Sequence, residues 1–267
     1  MHEFIKNIII KNHGDENYDK IGSNNLVKFI NDKTNSYNKS SKARPNFGTL
    51  FAIYVVIDDY IENGYTSTEK DYDMYEGANF SKLFEKMRAL PFGGKLQNHA
   101  LNNRVNSEFI KKYKDSGDII KRDQVLQKYW INENLLLVDG INIAKTIIEI
   151  INKYIELKKD NLAQFIAECK KLKKYESIDE IIEFIKEHMS PNADARRFEI
   201  ISFAILKNYL EEFSIWYGVN ADDINETPLT LYKTGRTNAN DGGIDFILLP
   251  TGKIFQVTET IDFTKYF

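Results

Sequence analysis

Hydrophobic and polar positions follow two different periods along this chain, and the change of period divides it. Up to about residue 190, apolar residues recur at helical spacing. Phe47, Leu50, Phe51, Tyr54, Val55 and Ile57 mark a strong helix, opened by Pro45 and ended near Asn63-Gly64. The stretch 80–90 predicts a shorter helix, stopped at Pro91. Leu96, Leu101, Val105, Phe109 and Ile110 place a buried stripe on a helix over 95–114. Ile143, Ile147, Ile148, Ile151, Tyr154 and Ile155 do so over 141–158, and 160–174 continues helical. Ser23-Asn24-Asn25 predicts a cap for a short helix carrying Leu26, Val27, Phe29 and Ile30. Ser177 and Glu180 form a capping box ahead of a helix over 177–189. Between these, 120–129 predicts a short helix, and 130–138 a strand or a hairpin around Asn132–Asn134. Helix, helix and β-wing would make 95–139 a winged-helix element.

Ser190-Pro191-Asn192-Ala193 is the strongest break in the pattern. Asp194 caps a long helix over 195–213, with Phe198, Ile201, Ala204, Ile205 and Tyr209 predicted on its packed face. Glu199 lies among the apolar residues of its first turns. A loop over 220–227 follows, and beyond it the period falls to two. The stretch 228–234 predicts a strand that pairs with a second one, Ile244–Leu249. Pro250-Thr251-Gly252 is turn chemistry, and 253–259 returns as a third strand. The expected fold is therefore α+β: a mostly helical region over 1–190, then a region over 191–267 with a small sheet.

A hydrophobic fraction of 42% is enough for a real core. A single cysteine, Cys169, excludes a disulfide framework and a cysteine-based zinc site, and makes the cytoplasm the natural compartment. No apolar run approaches the length of a membrane span. A net charge of −3 gives no global attraction to nucleic acid, but a nuclease needs only a basic cleft.

The candidate chemistry lies in 235–259. A Gly- and Asn-rich run ends in Asp241-Gly242-Gly243-Ile244-Asp245, and Asp245 opens the hairpin. A turn this short sets Asp245 across from about Gln256 to Thr258. This places a carboxylate beside polar groups at one end of a sheet. Mg²⁺ takes hard oxygen ligands and keeps several waters, so one or two carboxylates plus substrate phosphate can hold it. A plain hairpin with a surface aspartate is the alternative. Gly242-Gly243-Ile244-Asp245 followed by Gln256-Val257-Thr258 resembles the PD-(D/E)XK nucleases, most closely the Mrr-like restriction-endonuclease form in which Gly-Gly-Ile-Asp precedes Gln-x-Lys.

The resemblance implies a type II restriction endonuclease that hydrolyses double-stranded DNA at a specific sequence with Mg²⁺. Asp245 would be the primary metal ligand, Gln256 the second acid-equivalent position, and Glu199 a third ligand from the preceding helix. Thr258 stands where the family has its water-activating lysine, and Glu259 and Lys253 are candidates for a displaced function. A homodimer and a cognate DNA methyltransferase are further implications. The family core continues with a helix and another strand, so 191–267 would be part of that core. A nuclease remnant that only binds DNA is the alternative.

For DNA contact, Lys42 and Arg44 stand in a basic loop, or else in a solvated linker. Asn98, Asn102 and Arg104 suit base edges, Asn for adenine and Arg for guanine, or else form an exposed face in an Asn-rich chain. Arg236 and Lys233 flank Asp245 and could hold phosphate. Glu199 could instead pair with Arg196 or Arg197.

Overall fold

A computed structural model describes residues 1–35, 43–67, 70–94, 96–172, 177–190, 193–234 and 244–258, with side chains excluded at 43–45, 102, 195 and 221. The chain divides into two compact units, one up to Ala163 and one from Gln164 onward. Both mix helices with small antiparallel sheets, as the α+β expectation requires.

The first unit is built around α4 (Ala43–Glu62). Leu50, Phe51, Ala52, Ile53, Val55, Val56, Ile57 and Tyr60 are all buried, so α4 is apolar all round and sits inside a shell of other elements. The shell includes α1 (Glu3–His13), α2 (Tyr18–Ser23), α3 (Asn25–Lys33), α5 (Phe80–Ala89) and the first half of α7 (Ala144–Leu172). Asn24 caps α3 by accepting from the Leu26 and Val27 N–H groups. The expected helix over 95–114 is shorter: a π-helical turn at Ala100–Arg104 runs into α6 (Val105–Ile110).

The stretch 120–129 is not helical. It forms β2 (Ile120–Asp123), which pairs antiparallel with β3 (Lys128–Ile131). Asp123 makes the turn, its Oδ1 accepting from the N–H groups of Val125 (2.8 Å) and Leu126 (2.9 Å). The short β1 (Ala78–Asn79) pairs with the other edge of β3, and β4 (Leu137–Val138) pairs with β5 (Ile141–Asn142).

The expected boundary near 190 falls inside the second unit. Phe165 of α7 is buried against Phe184 and His188 of α8 (Ile178–His188), and Arg197 of α9 (Ala195–Leu210) lies 5.0 Å over its ring. Those contacts join the segments on either side of Ser190. The predicted caps are in place: Ser177 accepts from Asp179 N–H, and Asp194 from Arg196 and Arg197 N–H.

The strand β6 (Ser214–Tyr217) pairs with β7 (Asn225–Pro228), which replaces most of the second half of the loop expected over 220–227. The sheet that carries the candidate chemistry is β8 (Thr230–Lys233), β9 (Phe246–Leu249) and β10 (Lys253–Phe255), antiparallel with β9 in the centre. Leu231, Phe246 and Leu248 form its buried face against Phe203, Leu206 and Leu210 of α9. The packed face of α9 thus differs from the predicted stripe, and Ile205 and Tyr209 are exposed. Among the described residues, no helix is long and apolar enough to cross a membrane.

Candidate functional site

One end of the β8–β9–β10 sheet gathers the residues singled out for chemistry. Lys233 ends β8, with Phe246 as its partner on β9, and Phe246 in turn faces Phe255 on β10. One step beyond this row stand Thr234, Asp245 and Gln256. Asp245 and Phe246 both address Phe255: Phe246 in the ladder, Asp245 by donating its N–H to the Phe255 carbonyl (3.0 Å). Two residues against one is the arrangement of a β-bulge, which re-aims the side chain at that point. The Asp245 Oδ2 then accepts the N–H of Val257 at 2.8 Å. On its other side, Thr234 donates its N–H to the Asp245 carbonyl (3.2 Å) and its hydroxyl to the neighbouring Ile244 carbonyl (2.6 Å). Asp245 is therefore pinned from both neighbouring strands.

Glu199 is 6% exposed, a carboxylate between helix and sheet. A carboxylate there needs a partner. It is Lys233, whose Nζ sits 2.5 Å from Glu199 Oε1, and neither Arg196 nor Arg197. Leu231 and Lys233 share a strand face, so Lys233 reaches the same helix that Leu231 packs against. Lys233, expected to hold phosphate, is exposed and has its ammonium paired with Glu199. Gln256 and Thr258 are exposed.

No protein-family model, curated protein or solved structure matches the chain.

Among the described residues, no group of three His, Cys, Asp or Glu side chains could together hold a metal ion. The donor set for a divalent cation at this end of the sheet is accordingly small. Asp245 and the amide of Gln256 can contribute oxygens, whereas the charge of Glu199 is matched by Lys233. One carboxylate and an amide meet the modest demand of Mg²⁺, which completes its shell with waters and phosphate oxygens.

Lys42 and Arg236 fall outside the described residues, as does Glu259, and so do the side chains of Arg44 and Asn102. Asn98 is exposed. Arg104 donates from Nε to Glu108 Oε1 at 2.7 Å. Glu108 also takes Lys33 Nζ (2.8 Å) and the Thr49 hydroxyl (2.9 Å) on Oε2. Burial opposes ionisation of Glu108, and the hydrogen bonds from Lys33, Arg104 and Thr49 override it and hold its pKa below the usual value. Arg104 thus belongs to a cluster that ties α3, α4 and α6 together.

The first unit carries a different basic feature. Lys111, Lys114 and Arg122 line an open groove of about 680 Å³ beside Asn103 and Ser107. The signal in the sequence is Lys111-Lys112-Tyr113-Lys114 directly after the helix stripe ends.

Proposed function

We propose that the chain is a site-specific DNA endonuclease of the type II restriction class, with cleavage chemistry in the second unit and duplex binding in the first. The observation that carries this reading is the position of Asp245. It opens the central strand of an antiparallel three-stranded sheet backed by α9, and its carboxylate is oriented by the Val257 N–H. With the β6–β7 pair set between α9 and β8, the succession of α9 and then β8–β9–β10 parallels the helix and three strands that begin a PD-(D/E)XK core, to which the Gly242-Gly243-Ile244-Asp245 and Gln256-Val257-Thr258 motifs are similar.

In this reading Asp245 and Gln256 hold Mg²⁺. When bound, the ion polarises a phosphodiester and lowers the pKa of a coordinated water. The chain's own groups set the frame. Val257 N–H fixes one carboxylate oxygen of Asp245. Thr258 carries no charge; among the described residues Lys233 brings an ammonium to this end of the sheet, and Glu199 acts as its anchor in place of a metal ligand.

A second reading, DNA binding without cleavage, is favoured by Thr258, which stands where the resembled family has its water-activating lysine. Incubation with a mixed set of plasmid and phage DNAs, with Mg²⁺ or with chelator, decides between them. Discrete fragments that vanish with chelator support the endonuclease. A salt-sensitive gel shift with no nicking supports the binding protein.

A further inference from the structure

We infer that the groove between Ala100–Ile110 and β2 seats the sugar–phosphate backbone of duplex DNA, and that the β2–β3 tip beside it contacts an adjoining groove of the duplex. This rests on the reading that the chain binds DNA, and it assigns that binding to residues other than those expected from the sequence.

Three features converge. The first is charge. Lys111, Lys114 and Arg122 face a groove of about 680 Å³ that contains a single carboxylate, Asp118. Lys111 and Lys114 are exposed, whereas their neighbour Lys112 is turned to Asp32. Ser107 and Asn103 add neutral hydrogen-bond donors of the kind that position phosphates.

The second is rigidity. The carboxamide of Asn106 bridges the groove floor, donating to the Ile120 carbonyl (2.8 Å) and accepting the Ile120 N–H (3.0 Å). Asn132 donates from Nδ2 to the Asp118 carbonyl at 3.0 Å, fixing the backbone that leads into the same end of β2. Helix and hairpin therefore hold the groove at a set width.

The third is the tip. Val125 is 90% exposed and Leu126 67% exposed, on a turn fixed by Asp123. Apolar side chains at the end of a rigid hairpin, next to a basic groove, suit the apolar wedge that minor-groove proteins place against base steps. A protein partner would explain the tip but not three cations gathered along one groove.

The test is fluorescence anisotropy of a labelled duplex in chelator, so that no cleavage intervenes, across a range of salt concentrations. Each phosphate contact contributes about 0.9 to the slope of log affinity against log salt. The double variant Lys111→Gln/Lys114→Gln should flatten the slope by about 2 and weaken binding about tenfold per lysine at ~0.1 M salt, equally on every sequence. Val125→Ser/Leu126→Ser should weaken binding with the slope unchanged. Lys11→Gln/Lys153→Gln, on other exposed faces, should change neither. Thermal melts matching wild type exclude misfolding. If wild type binds while the Lys111/Lys114 variant keeps its affinity and slope, or if the Lys11/Lys153 control falls equally, the groove assignment is wrong and the DNA reading stands. If wild type binds no duplex at any salt, both are wrong.

Discussion

The two units are held together in different ways. The first buries a continuous apolar cluster from Ile5 to Ile155, with α4 enclosed on every side. The sheet of the second buries Leu229, Leu231, Phe246 and Leu248 against one face of α9. Its other elements leave Tyr209, Trp216, Tyr217 and Val219 exposed. Apolar burial contributes roughly 25 cal/mol per Å², so the first unit has ample non-directional stabilisation. The sheet of the second depends more on single polar contacts, Glu199–Lys233 and Asp245–Val257. A rigid body is suited to hold a duplex in register. A thin sheet with pinned polar groups is suited to present a carboxylate.

The chain has two tryptophans, and each reports one unit: Trp130 the first and Trp216 the second. Single-tryptophan variants allow the comparison to be broken. Phe246→Ala empties a fully buried site against Phe203 and should cost about 3–5 kcal/mol, lowering the urea midpoint seen by Trp216 and leaving that of Trp130 in place. Leu50→Ala should do the reverse, at about 2–5 kcal/mol. Midpoints that move together for both probes would show one cooperative body.

The next effect concerns the buried pair. Lys233→Ala leaves Glu199 buried without its cation and should destabilise the second unit by about 1–3 kcal/mol, a discounted figure because the Lys233 side chain is 34% exposed. Adding Glu199→Leu should recover most of the loss, since an apolar replacement of the whole pair leaves no unpaired charge. Urea melts of the two variants, read at Trp216, check this.

Smaller effects appear with pH, and those of Glu108 and three tyrosines belong to the first unit. The lowered pKa of Glu108 contributes stability that is present above its unfolded value and lost as pH falls through the folded one. Glu108→Gln should therefore flatten the acid limb of a Trp130-reported stability profile. At the alkaline end, burial and the neighbouring Glu133 push Tyr72 up to about 12, although the Glu133 backbone pulls the other way. Burial raises Tyr60 and Tyr75 as well, reinforced by Glu133 for Tyr60 and by Asp59 for Tyr75. Raised folded values mean stability held below the unfolded tyrosine pKa and lost as pH rises toward 12. Ultraviolet titration of folded and denatured protein should show these tyrosines ionising late in the folded form alone.

Much of this architecture is legible in local pattern. The Asp194 and Ser177 caps, the α4 stripe and the β8–β9–β10 hairpin chemistry rest on residues within a few positions of one another. The misreadings share a cause, which is that two local solutions fit and a distant contact selects one. In 120–129, apolar spacing suits a short helix, but pairing of Ile120 with Ile131 and the Asp123 turn make a hairpin. On α9 apolar residues occur all round, and Phe246 of the sheet selects the face carrying Phe203. At the site, Asp245 is legible from its hairpin, whereas the Glu199–Lys233 pair spans helix and strand and needs the sheet register to be seen.

Separation of binding from cleavage tests the division of labour most directly. Asp245→Asn retains an oxygen for the Val257 N–H and removes the charge. Duplex affinity in chelator and Mg²⁺-dependent cleavage, measured side by side on wild type and this variant, should give unchanged affinity and salt slope with cleavage abolished. Cleavage at the wild-type rate by Asp245→Asn, or loss of binding together with cleavage, would contradict it.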